Sequence, residues 1–125
     1  MNYQRQLKKQ TIALLTGLGN SQDEVAQSLR ATGVHGVPKN NRSCAIALYL
    51  TASMGSDPRI RSVTVGHCSL LIAMSAPPDF RPAGRLLVQL PKPVRRFVAA
   101  FDARHYPEVT RGQQPVPETE LAVAL

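Results

Sequence analysis

Cysteine and histidine side chains offer the first possible chemistry in this 125-residue sequence. Cys44 stands two residues after Arg42, at the predicted start of a helix. A nearby cation and a helix N-terminus both lower a thiol pKa and favour the reactive thiolate. A reactive thiol at Cys44, with His35 or His67 as its base, is therefore one hypothesis. The alternative is a buried structural thiol, which the apolar residues that follow Cys44 favour.

Metal and acid–base chemistry have weaker support. Zinc frameworks usually use paired ligands two to four residues apart, and the adjacent side chains of His67 and Cys68 would point to opposite faces of a strand. We therefore expect no metal site and no cofactor. Asp102 and His105 lie about one turn apart on a predicted helix, but no serine or cysteine is spaced to complete a triad with them. These features predict a protein that is not an enzyme.

Charge gives the clearest indication of a partner. The chain has 15 Lys and Arg against 8 Asp and Glu, a formal net charge of +7. Residues 1–111 hold all fifteen basic and six acidic residues, a balance of +9, whereas residues 112–125 hold Glu118 and Glu120 and carry −2. A cationic body attracts polyanions and speeds encounter with them, so the charge favours DNA or RNA as the partner.

The basic residues fall into two groups that would form a phosphate-binding face. The first lies off the apolar stripe of the closing helix and the second flanks the predicted strands. They are Lys92, Arg95, Arg96 and Arg104 in the first group, and Arg59, Arg61, Arg81 and Arg85 in the second. Such a face positions nucleic acid without reading its sequence. The alternative is an ordinary solvated helix face.

A third basic feature is the loop of residues 36–43. The loop would bring two cations and free backbone N–H groups to a helix N-terminus, where anions are stabilised. The residues concerned are Lys39, Arg42 and Ser43. This loop lacks the Gly-Lys-Ser/Thr ending of a P-loop. It predicts an anion-binding position, with an ordinary surface loop as the alternative.

Helical periodicity predicts three helices before the strands, at residues 2–16, 22–32 and 44–54. Ser21 and Glu24 form a capping box for the second helix, and Ser43 is the predicted cap of the third. A helix-turn-helix is disfavoured because the connection after residue 33 is too long and the third helix is apolar almost all round.

A two-residue period then predicts a small antiparallel sheet. Residues 63–65 and 70–74 alternate with opposite parity, so residues 66–69 must hold a turn or a bulge, and we expect a turn. Prolines make residues 75–84 an irregular connection, before a third strand at residues 85–90. The closing helix begins at Pro93, buries Phe97 and Phe101, and ends before Pro107. The order predicts an α+β domain over residues 1–111 and a flexible acidic and apolar tail over residues 112–125.

Two stretches also suggest a relationship to other proteins. The first is GVHGVP at residues 33–38 followed by SCAIALYL at residues 43–50, and the second is LPKPVRRFVAAFDARHYPE at residues 90–108. Together they resemble a group of small proteins of unassigned function in actinobacteria such as streptomycetes. The resemblance covers about residues 21–109. It implies a bacterial, cytoplasmic setting and a shared fold, and carries over no activity or binding residues.

The combined prediction is a non-enzymatic cytoplasmic accessory or regulatory protein whose cationic face binds nucleic acid or another polyanion. No run approaches the ~18 apolar residues of a membrane span, so we expect no membrane partner. One alternative is a protein–protein adaptor, homodimeric or with another partner, that uses the sheet edge or the apolar tail at residues 117–125. A second alternative is a thiol-based sensor at Cys44.

Overall fold

A computed structural model describes residues 3–76 and 81–111, and these residues have the predicted α+β class. Three helices, a three-stranded sheet and a closing helix follow one another in the expected order. The elements are α1 (Tyr3–Thr16), α2 (Gln22–Ala31), α3 (Ala45–Met54), β1 (Ile60–Val65), β2 (Ser69–Ala76), β3 (Arg81–Gln89), α4 (Lys92–Asp102) and a short 3-10 helix (Pro107–Val109). The predicted tail, residues 112–125, lies outside the described residues.

The sheet is antiparallel with the order β1-β2-β3. A turn joins β1 to β2, where the backbone N–H of Gly66 donates to the carbonyl of Ser69 at 2.8 Å, so the predicted turn is confirmed. Apolar residues cross the sheet in two rows that face the helices. Val63, Ile72 and Leu86 form one row, and Val65, Leu70 and Val88 form the other.

The prediction of an irregular connection over residues 75–84 is wrong for residues 75–76 and 81–84, and residues 77–80 lie outside the described residues. Strand β2 continues to Ala76 and β3 already begins at Arg81, with Ser75 paired to Pro82. A proline is tolerated here because β3 is an edge strand, where a missing N–H need not break the ladder. Because three prolines in ten residues indicate a loop, the sequence pattern does not reveal the end of β2 and the beginning of β3.

The helices cover one face of the sheet and enclose the core. Helix α3 packs against β1, α1 against β3, and α2 against α4. The largest fully buried side chains are Phe97, Phe101, Leu7, Leu15, Leu29, Ile46, Leu50, Leu70 and Ile72. The apolar stripe predicted for the closing helix is confirmed, since its aromatic residues are the largest components of this core. Among residues 3–76 and 81–111, no helix is long and apolar enough to span a membrane.

Helix α2 begins with the predicted cap but a different carboxylate partner. Ser21 Oγ accepts the backbone N–H of Glu24 at 3.2 Å, as the capping box requires. The Glu24 carboxylate accepts the N–H of Asn20 at 2.7 Å, one residue before the position that the reciprocal box predicts. The start of the helix is thus correctly predicted, and its second capping bond is shifted by one residue.

Helix α4 ends earlier than predicted, at Asp102. Arg104 has a φ of 66°. Its N–H donates to the carbonyl of Phe101 at 2.9 Å, while that of His105 donates to the carbonyl of Ala100 at 3.0 Å. These two bonds form a Schellman motif, which usually has glycine at the left-handed position. Arginine gives no sequence signal for this ending, and the reversal turns the following residues back toward the core.

Candidate anion-binding groove

The loop of residues 36–43 is closely packed against the start of α3. A Cβ added to Gly36 would lie 2.2 Å from the backbone nitrogen of Ala45, so glycine is required here by proximity. Asn40 Oδ1 accepts the backbone N–H groups of Arg42 at 3.1 Å and of Ser43 at 3.0 Å. The backbone N–H groups of Arg42 and Ser43, which were expected to be free for an anion, are therefore bonded within the loop. The loop contributes Arg42 to a groove on the solvent face of the sheet.

Asp102 joins the loop to two other elements. Its Oδ1 accepts the backbone N–H of Lys39 at 2.9 Å, and its Oδ2 lies 3.2 Å from His67 Nε2 in the β1–β2 turn. The prediction that Asp102 and His105 lie one turn apart on the same helix is thus wrong, because the helix ends at Asp102 and His105 lies exposed beyond it. Asp102 instead holds the loop, the turn and the end of α4 together.

Cys44, rather than the predicted Ser43, is the N-cap of α3. Its Sγ accepts the backbone N–H of Ala47 at 3.5 Å, and the residue is 4% exposed. Burial raises the pKa of the Cys44 thiol and outweighs the opposing backbone hydrogen bond from Ala47. The expectation of a lowered thiol pKa is therefore wrong in direction. Cys68 is exposed, and both thiols are free.

A groove of about 470 Å³ lies on the solvent face of the sheet. Arg42 comes from the loop, Arg61 from β1 and Arg85 from β3, and together they surround a floor that includes Leu71 and Ala73 of β2. Strands β1 and β3 are two interstrand spacings apart, about 10 Å, so their arginines flank the floor. None of the described residues that line this groove is acidic.

A bulge in β1 directs Arg61 to the solvent face. Arg61 has the same sequence parity as Val63 and Val65, which are buried on the core face. The register shifts between Ile60 and Ser62, so Arg61 is the extra residue of the bulged strand. Bulges re-aim side chains in this way. Regular alternation would place this cation in the core, and the sequence offers no signal for the irregularity that exposes it.

Arg85 and the floor reach the same groove by regular alternation. Ser62, Ala73 and Arg85 pair across the three strands in one row. The next row contains Leu71 and Leu87, and Leu87 is 54% exposed. The solvent face of the sheet therefore places cations beside an apolar surface.

Of the other predicted cations, those whose side chains the structure describes do not line the groove. Arg59 forms an ion pair with Asp57 at 3.1 Å and lies 3.9 Å over the ring of Tyr3. Hydrogen bonding to Arg59 lowers the pKa of the Asp57 carboxyl. Lys92, Arg95 and Arg96 are exposed on α4, and Arg104 is exposed just after it. Arg81 lies on β3, but its side chain is outside the described part of the structure.

The predicted cationic residues are therefore divided between sites. The groove combines Arg61 and Arg85 from the strand group with Arg42 from the loop, a combination the sequence did not indicate. In the described ranges, 3–76 and 81–111, no group of three or more His, Cys, Asp and Glu is arranged to hold a metal ion.

Comparisons of the chain with protein-family models, with curated proteins and with solved structures each found no match. The chemistry of the groove and its surroundings is therefore the indication of function that this structure offers.

Proposed function

We propose that this chain is a non-enzymatic, cytoplasmic accessory protein that binds nucleic acid or another polyanion through the groove on the sheet. The observation that carries the proposal is the convergence of Arg42, Arg61 and Arg85 from three separate segments on one open surface. Guanidinium groups bind phosphate oxygens in bidentate fashion, and several together raise both affinity and association rate.

The chemistry of the floor complements these cations. Leu71 and Ala73 lie between the arginine-bearing strands, and Ser62 and Thr64 supply hydroxyl groups beside them. Phosphates on the arginines would leave bases or sugars over the apolar floor. Binding of this kind tolerates many sequences, because it depends on charge and surface rather than on base edges.

The exposed cations of α4 contribute a second, more distant attraction. Lys92, Arg95 and Arg96 are exposed while their helix buries its apolar stripe. These cations do not line the groove, and they would attract a polyanion to the protein through their field. Substitution on α4 should therefore weaken binding less than substitution in the groove, and to a similar degree for all sequences.

Fluorescence anisotropy with labelled single-stranded DNA, RNA and duplex DNA of about 12 nucleotides or base pairs tests the proposal. The variant Arg61→Gln/Arg85→Gln should bind at least about tenfold more weakly at low salt, and its salt slope should fall by about 2. The matched control is Arg5→Gln/Arg30→Gln, which removes the same charge from exposed positions on α1 and α2.

The control should change affinity by less than about twofold. An equal loss in the two double variants would show that net charge, rather than the groove, determines binding. Undetectable binding of the native chain to all three polymers at low salt would end the proposal. The variant Arg95→Gln/Arg96→Gln measures the separate contribution of α4.

The sheet edge supports a second candidate, a homodimeric adaptor. Within the described residues β3 pairs on one side only, with β2, and it carries the most exposed of the large apolar residues, Leu87. An edge strand with an apolar side chain favours pairing with another strand. Light scattering should then give a dimer mass for the native chain and a monomer mass for Leu87→Lys. The control Ile12→Lys, at the other large apolar residue that is exposed in the described ranges, should keep the dimer mass. A monomer mass at all concentrations would remove this candidate.

A further inference from the structure

We propose that residues 112–125 bind in the arginine groove of their own chain and compete there with nucleic acid. The competition rests on the proposed function, whereas the docking itself does not. The groove is exposed on one face of the sheet and offers two chemistries, guanidinium groups and an apolar floor. An occupant that satisfies both must combine carboxylates with aliphatic side chains.

The sequence of residues 112–125 has this combination. Glu118 and Glu120 are its charged residues, and Leu121, Val123 and Leu125 follow them. In an extended chain the two carboxylates would share one side, about 7 Å apart, which suits the guanidinium groups of arginines on neighbouring elements. The aliphatic residues have the opposite parity, so they would face the floor at Leu71 and the exposed Leu87 while the carboxylates turn toward the arginines at its sides. A duplex backbone, by contrast, meets only the cationic half of this surface.

The segment also leaves the described structure at the loop that carries Arg42. The N–H of Arg111 donates to the carbonyl of Gly36 at 2.7 Å, at the beginning of the loop that carries Arg42. At the other end of this loop, the N–H of Val65 in β1 donates to the carbonyl of Asn41 at 2.8 Å. The last described residue is thus connected through a single loop to one wall of the groove.

Chain length allows the contact. Gly36 and Arg42 can be at most about 22 Å apart, since six residues separate them along the chain. The N–H of Val37 donates to the carbonyl of Ser43 at 2.7 Å, which holds the two ends of the loop together. The distance between Gly36 and Arg42 is therefore well short of that limit. Glu118 follows Arg111 by seven residues and can lie up to about 25 Å from it. The first carboxylate can therefore reach Arg42. A tethered segment acts at an effective concentration in the millimolar range, so weak contacts suffice to occupy the groove.

Two variants of the full chain separate docking from a general charge effect. Glu118→Gln/Glu120→Gln raises the net charge by two and removes the carboxylates. Glu108→Lys also raises the net charge by two, at an exposed residue of the 3-10 helix. A third variant, Leu121→Ser/Val123→Ser, keeps the charge and removes the aliphatic contacts.

The direct measurement is the amide NMR spectrum without nucleic acid. Docking predicts that amide signals of Leu71, Ala73 and Arg85 move in the glutamate and aliphatic variants and stay in place in Glu108→Lys. Unchanged groove signals in both tail variants would overturn the inference, whatever the protein binds. Concentration-dependent shifts together with a dimer mass would also overturn it, because the tail would then occupy the groove of a second copy.

The second measurement is the affinity for the single-stranded oligonucleotide used above. Both tail variants should bind about fivefold more tightly, and Glu108→Lys should change affinity less than about twofold. Native and variant chains that bind equally would contradict competition while leaving the proposed function intact. Moved groove signals without oligonucleotide binding by any variant would support docking of the tail and contradict the proposed function.

Discussion

The hydroxyl of Tyr106 donates a 2.7 Å hydrogen bond to Oδ1 of Asp23, a residue 83 positions earlier in the chain. The same hydroxyl accepts a 3.0 Å bond from Gln22 Nε2. Its ring stacks on Phe97 with 5.1 Å between the ring centroids. Tyr106 therefore connects the segment after α4 to the first turn of α2. Its buried ring packs on α4, and its hydroxyl forms the hydrogen bonds to α2.

We expect Tyr106→Phe to lower the free energy of unfolding by about 1 kcal/mol, because it removes two hydrogen bonds and keeps the ring. Urea denaturation measures the change. Tyr49→Phe is the matched control, since the Tyr49 hydroxyl makes a longer 3.5 Å bond to the Leu14 carbonyl. A larger loss in the control would contradict this role for Tyr106.

The same hydroxyl predicts a sensitivity to alkaline pH. Burial, followed by the hydrogen bond to Asp23, raises the pKa of Tyr106 above its ordinary value of 10.0. A raised pKa in the folded state adds stability that is present below pH 10 and is lost as pH rises through the raised value. The stability difference between the native chain and Tyr106→Phe should therefore shrink above about pH 10. A difference that stays constant up to pH 11 would contradict the shift.

Arg104→Gly should stabilise the protein by about 0.5–1 kcal/mol, because glycine adopts the left-handed conformation of this Schellman position without steric penalty. Thermal denaturation measures the gain. The control Arg95→Gly removes the same charge from the interior of α4, where glycine costs about 1 kcal/mol. Destabilisation in both variants would contradict the assigned conformation of Arg104.

Gly36→Ala should destabilise the protein by about 3 kcal/mol or more, since its Cβ would collide with backbone that has no room to move. The nearest atoms are the Ala45 nitrogen at 2.2 Å and the Cys44 carbonyl carbon at 2.6 Å. Gly66→Ala, where the nearest atom is the Ser69 carbonyl oxygen at 3.3 Å, should cost much less. Equal losses in chemical denaturation would show that close approach is not what requires glycine at position 36.

The two thiols should react at very different rates. Cys68 is exposed, whereas Cys44 is buried and has a raised pKa. An aromatic disulfide reagent should therefore modify one thiol rapidly in the native protein and the second only on unfolding. Cys68→Ser should abolish the fast phase. A fast phase that survives in this variant would restore the reactive-thiol interpretation of Cys44.

Much of the fold is predictable because local signals agree with tertiary packing. The period of α4 places Phe97 and Phe101 in the core, and Ser21 marks the beginning of α2. The ends of the strands are less predictable. Pro82 by itself indicates a loop, and it is tolerated in β3 because β3 is an edge strand of the sheet. Local patterns describe neighbours along the chain, and edge position is a property of the whole sheet.

The groove was less predictable than the fold for the same reason. Arg42, Arg61 and Arg85 are separated along the chain, and only strand pairing and the β1 bulge bring them to one surface. From the sequence alone, Arg42 belongs to one predicted site and the two strand arginines belong to another. Arg59 is predicted beside the strand arginines, although the ion pair with Asp57 and the contact with Tyr3 hold its side chain outside the groove.

The contact between Tyr106 and the first turn of α2 also constrains how the protein is made. The core depends on Phe97, Phe101 and Tyr106, which leave the ribosome after every strand of the sheet has been synthesised. Until they emerge, α2 lacks the partner that covers its apolar face. Folding is therefore completed only after residue 106 has emerged, and a nascent chain stalled near residue 95 would present that uncovered face to chaperones and proteases.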